Sequence, residues 1–87
     1  MEAYFDDQVF KGIDYTKKGI TKGEYDNCTF KDCNFSNVHA SNISFVACEF
    51  ISCNFSNTIV SNSAYKEVKF VECKILGVKF HECDPFY

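Results

Sequence analysis

Six cysteines, at positions 28, 33, 48, 53, 73 and 83, and two histidines, at 39 and 81, are the residues of this 87-residue sequence whose types suit metal or redox chemistry. Their placement argues against it. Zinc sites favour cysteine pairs with two to four residues between them and histidine close by. Here Cys28 and Cys33, like Cys48 and Cys53, have four residues between them, at the edge of that range, but each histidine falls at a position expected to point outward. Neither histidine has a serine, cysteine or aspartate placed to complete a nucleophilic triad. There is no glycine-rich phosphate loop, no nucleophile elbow and no cleft-forming carboxylate pair. The expectation is a non-enzymatic protein with no cofactor and no metal, whose cysteines serve as small buried hydrophobes.

The elements that hold these cysteines explain their spacing. From Cys28 to Lys66 the chain reads in fives. Each group closes on a large apolar residue, at Phe30, Phe35, Ala40, Phe45, Phe50, Phe55, Val60 and Tyr65. Two places before each sits a smaller one: Cys28, Cys33, Val38, Ile43, Cys48, Cys53, Thr58 and Ser63. A spacing of two is the strand spacing, so both residues face the same way. An α-helix with a five-residue period would bury nothing, because its apolar positions wander around the axis.

A longer period overlies the first. Residues 28–47 and 48–67 share Cys28/Cys48, Phe30/Phe50, Cys33/Cys53, Asn34/Asn54, Phe35/Phe55, Ser36/Ser56 and Asn37/Asn57. Four fives make one turn of a four-sided solenoid, with Asn, Asp, Ser and Gly at its corners. Stacked turns would form columns: Phe10, Phe30, Phe50 and Phe70 in one, and Tyr15, Phe35, Phe55 and Ile75 in another. Cys28 stacks with Cys48, and Cys33 with Cys53 and Cys73. Parallel stacked thiols do not suit disulfide geometry.

Residues 1–22 keep the register loosely, with Gln8 and Lys18 at the small inward position, and read as an irregular capping coil. Residues 23–87 form the regular array. At its far end Pro85 breaks a column, and Pro85, Phe86 and Tyr87 mark an expected end-to-end interface. Net charge is -3, which argues against a general nucleic-acid binder, since that needs a basic face, and the signs read as interspersed. The Asn-x-Ser/Thr triplets at Asn27, Asn34, Asn42 and Asn54 read as corner residues. Without a leader-like N-terminus or a membrane-length apolar run, the expected location is the cytoplasm, with reduced thiols and no membrane contact.

The motifs CTF at 28–30, CNFSN at 33–37 and 53–57, and CEF at 48–50 carry a resemblance to the pentapeptide repeat family. That family's pattern is Ala, Cys or Val, then Asp or Asn, then Leu or Phe, then two variable residues. The resemblance implies an all-β fold, a right-handed quadrilateral parallel β-helix of about four coils of twenty residues. The Cys- and Phe-rich style is similar to the bacterial quinolone-resistance members, which protect DNA gyrase and topoisomerase IV as dimers joined at their C-terminal coils and imitate duplex DNA. It therefore implies a protein partner of the type II topoisomerase class. The alternative is a structural module that self-associates through an exposed coil end. At the middle position Thr29, His39, Glu49, Ile59, Ala64, Lys69, Lys74 and Lys79 depart from the family's Asp or Asn, which touches corner hydrogen bonds rather than the fold.

Overall fold

The computed structural model describes residues 3–83. Eight short strands alternate along the chain: β1 (Ala3–Asp6), β2 (Val9–Lys11), β3 (Gly23–Asp26), β4 (Thr29–Lys31), β5 (Ser44–Val46), β6 (Glu49–Ile51), β7 (Ala64–Lys66) and β8 (Lys69–Val71). A 3-10 turn follows at Phe80–Glu82. The strands form two parallel sheets, ordered β1-β3-β5-β7 and β2-β4-β6-β8. Each pairs with the strand twenty residues on, as in Tyr25 with Phe45 and Phe30 with Phe50. These sheets are two walls of the solenoid. The other two are held by isolated parallel bridges, Asp14–Asn34–Asn54–Lys74 on the third wall and His39–Ile59 on the fourth.

Both periods have a direct cause. On each wall the small and the large residue point inward, and the corner falls two residues after the large one. At that corner the backbone turns left-handed. Asp7, Asn27, Asp32, Asn37, Asn42, Ala47, Ser52, Asn57, Asn62, Glu67 and Glu72 all have φ between 52° and 61°, and Gly12 and Gly77 continue the series. A left-handed residue every fifth position bends the strand by a quarter turn, and four bends close the coil. Asn and Asp visit this conformation readily, whereas for Ala, Ser and Glu it costs roughly 1–2 kcal/mol.

The interior is filled by rings. Phe10, Phe30, Phe50 and Phe70 stack with centroids 4.9, 4.8 and 5.1 Å apart, all within 15° of parallel. Tyr25 stacks on Phe45 and Phe45 on Tyr65, at 5.3 and 5.1 Å. The third column is less regular: Tyr15 lies 4.6 Å from Phe35 in parallel, but Phe35 and Phe55 are tilted by 58°. Ile75, next in that register, is 43% exposed, because no further described rung lies over it. Each fully buried Phe contributes about 1.5–3 kcal/mol of burial.

One feature differs from the sequence reading. The first coil is regular through β2, since β1 and β2 pair with β3 and β4 in full register. Its irregularity lies at 16–22, where no left-handed residue occurs at 17 or 22 and Gly19 takes that conformation instead. The overall shape is a block of 27 × 26 × 24 Å, since four rungs stack no higher than the coil is wide.

Candidate interaction surface

The side chains with chemical potential are the thiols, and the structure gives them a defined task. Each donates to a backbone carbonyl 23 residues back, the one that closes the preceding wall one coil below. Cys48 Sγ donates to Tyr25 O at 3.1 Å, Cys53 Sγ to Phe30 O at 3.2 Å, and Cys73 Sγ to Phe50 O at 3.1 Å. Cys28, Cys33 and Cys83 follow the same rule to Phe5, Phe10 and Val60. Thr58 does so with its hydroxyl, to Phe35 O at 2.7 Å, and Ser63 to Ala40 O. Where the inward small residue is Cys, Thr or Ser, it thus donates to a carbonyl of the preceding wall; Val38 and Ile43, at the same position, only fill space. The sequence signal is the recurrence of Cys, Thr and Ser at that position.

Burial sets the acidity of these thiols. It pushes Cys48 up to about 11 and Cys53 up to about 12, so both stay protonated and unreactive near neutral pH. Cys73 and Cys83, nearer the open end, are only partly buried. Among the described residues no group of three metal-ligating side chains converges. His39 is exposed on the fourth wall, and His81 Nε2 lies 4.0 Å from Glu82 at the end of the stack. Pro85, Phe86 and Tyr87 lie outside the described residues. Within that range no helix is long and apolar enough to cross a membrane.

What remains is the outer surface, and it has two distinct sides. The two sheet walls, with the corners that bound them, carry Asp6, Asp7, Glu24, Asp26, Asp32, Glu49, Glu67 and Glu72, against Lys11, Lys22, Lys31, Lys66 and Lys69. The acids crowd at the early rungs. Tyr4 Oη donates to Asp26 Oδ2 at 2.8 Å, which lifts the phenol to about 12. Glu24 is raised by its hydrogen bond to the Asp26 carboxyl. Charge along the chain reads as interspersed, but winding sorts it by wall.

The two bridge walls differ. Over their middle rungs, from Cys33 to Ile43 and from Cys53 to Ser63, there is no Asp, Glu or Lys. Asn34 and Asn54 fold back to accept from the backbone N–H of Ser36 and Ser56, at 3.0 and 3.1 Å. Asp14 makes the same turn with Thr16, which holds its carboxyl below the usual range. The walls meet at Asn37 and Asn57, where Val38 N–H donates to Phe35 O and Thr58 N–H to Phe55 O, at 3.0 and 3.2 Å. That bond with a left-handed third residue is the arrangement of a type II turn. Where His39 and Ile59 replace Asn, no such side-chain bond is made.

Shallow grooves run along both edges of the fourth wall. One, of about 370 Å³, lies beside Asn37, Asn57 and Gly77; the other, of about 290 Å³, beside Asn42, Asn62 and Ser44. Neither holds converging acid, base and nucleophile, and the core between the walls is filled.

A family comparison fits this geometry. Residues 27–64 match the pentapeptide repeat family in eight copies. Those residues carry pentapeptide repeats. The fold of the chain is shared with solved structures of QnrB1, a plasmid-mediated fluoroquinolone resistance protein. The full-length form superposes with a TM-score of 0.68 at 19% identity, covering 90% of this chain and 49% of QnrB1. A trypsin-treated form gives 0.63, also at 19%, covering 90% of this chain and 39% of that one. The chain therefore spans about half the length of the QnrB1 it resembles. No curated protein matches its sequence.

Proposed function

We propose that the chain is a non-enzymatic binding scaffold that presents its charged sheet side to a protein partner in a reducing cytoplasm. The observation that carries this is the gathering of acidic side chains on two walls whose backbones are held in register by parallel ladders. Eight carboxylates on these walls, against five lysines, present an acidic field to a basic surface. The partner class that the family resemblance brings is a type II topoisomerase, whose DNA path is basic. At 27 Å the block is as long as about eight base pairs of duplex.

The test is a gyrase supercoiling assay with the purified chain, with and without a fluoroquinolone. Inhibition of supercoiling, or relief of drug inhibition, that disappears when Glu24, Asp26 and Asp32 become lysines supports the reading. No effect at a hundredfold molar excess of the chain removes the topoisomerase and leaves a scaffold with another basic partner.

A second reading, self-association through the ends of the stack, is favoured by the exposed apolar residues on the last rung. Leu76 is 79% exposed beside Ile75. Sedimentation velocity over a concentration series tests it.

A further inference from the structure

The groove beside Asn42 and Asn62 owes its depth to small residues on the first wall. The outward column there reads Tyr4, Glu24, Ser44 and Ala64, one residue per rung. Ser44 and Ala64 sink the wall next to a corner where Asn42 and Asn62 stand exposed at left-handed positions. The result is a trough of about 290 Å³, with Gly23 and Glu24 at its early end. From Ala64 to Glu24 it runs two rungs, about 10 Å at the inter-strand spacing.

The early end carries uncompensated negative charge. Asp26 follows Glu24 at strand spacing on the same face of β3. Tyr4 Oη donates to Asp26 Oδ2, whereas Asp26 Oδ1 is buried and, with Glu24 ionised, receives no donor among the described residues. The Asp26 carboxyl raises that of Glu24, as expected of two acids side by side. Lys22, two residues before Glu24, directs its ammonium to Ser41 O on the fourth wall, at 2.7 Å.

We infer that this trough takes an arginine side chain of the protein partner, its stem along Ala64 and Ser44 and its guanidinium at Glu24. The small residues leave room for an aliphatic stem, and the carboxylate supplies the opposite charge. A planar guanidinium has donors enough for Glu24 and for the exposed amide oxygens of the corner together. An ammonium is a more strongly hydrated point charge and fits less well. The inference rests on the proposed acidic binding face and names the group that anchors it.

Blocked tripeptides added to the isotope-labelled chain test it, read by the NMR shifts of backbone amides. Gly-Arg-Gly should move Glu24, Asn42, Ser44 and Ala64 in a saturable way. The citrulline peptide, of the same shape without the charge, should not. Ser44→Val with Ala64→Val fills the trough at constant charge and should weaken binding at least tenfold. Glu24→Gln should do the same at constant shape. Valine suits an exposed strand position, so the fold is kept. Equal shifts with citrulline, or a filled variant that binds like the parent, overturn the inference. Equal binding of Gly-Lys-Gly overturns the choice of arginine. Shifts spread evenly over Asp6, Asp7 and Asp32 overturn the trough and leave the acidic face standing. If Gly-Arg-Gly moves nothing, the inference falls; the acidic-face reading falls with it only if deca-arginine also fails to bind at low salt.

Discussion

The sheet side and the bridge side of this block are built from the same five-residue unit, yet they reach stability by different routes. On the sheet side, strands β1 to β8 pair in continuous ladders, and the Phe30 column beneath one wall stacks in parallel at every step. Corners there tolerate Ala47, Ser52, Glu67 and Glu72. On the bridge side single bridges replace ladders, side-chain amides and type II turns fix the backbone, and three of the four Asn corners, Asn37, Asn57 and Asn62, lie beside an i→i+3 turn. The inward column of the fourth wall is small, Ile20, Ala40 and Val60, while the third wall keeps the rings of Tyr15, Phe35 and Phe55. Where the ladder fixes the chain, corner chemistry is free to vary and the surface can carry charge. Where turns fix it, corner and surface residues are committed to Asn and Ser.

Four substitutions or conditions press on that contrast. Phe30→Ala should cost about 3–5 kcal/mol in urea unfolding, since the ring is fully buried and stacked above and below. Val60→Ala should cost distinctly less, and equal losses would mean the two sides share the load. Thr58→Val on the bridge side should cost about 0.5–1.5 kcal/mol, because the Phe35 carbonyl loses its hydroxyl donor but keeps the Val38 N–H. Cys48→Ala on the sheet side should cost less, as a thiol is the weaker donor.

The thiols add a pH dependence. Folding raises Cys48 and Cys53 above the free-thiol value, so the native state holds protons that the unfolded state releases. Their contribution is full below about pH 9. It is lost progressively toward pH 12. Urea midpoints should fall between pH 7 and pH 10, and less so in a Cys48→Ala, Cys53→Ala chain. In native protein, iodoacetamide should modify the partly buried Cys73 and Cys83 first. The smallest effect concerns a corner. Ala47→Gly relieves a left-handed residue with φ 53° and should stabilise by about 0.4–1 kcal/mol. Asn57→Ala on the bridge side should destabilise; a gain there would erase the distinction between the two kinds of corner.

Much of this architecture is legible in the chain itself. The pairing of Cys28 with Phe30 and of Cys48 with Phe50 at strand spacing, repeated at five and at twenty, leaves a four-sided solenoid as the one winding that buries both sets. Other features are hidden for physical reasons. The thiols look like plain hydrophobes in sequence, because the carbonyls they serve lie 23 residues away, one coil down and one wall back. The charge pattern looks mixed because Lys74 and Lys79 stand close in sequence to Glu67 and Glu72 but on different walls. Lys18 looks like damage to the repeat, and the corner moved to Gly19 leaves it exposed at the surface.

By itself, then, the sequence determined the period and the inward residues, because a linear repeat fixes which side chains must be covered together. Tertiary structure decided which walls become sheets and which become turns, and where charge collects. Those properties depend on distances between residues twenty or more positions apart, and such distances exist only once the coils are stacked.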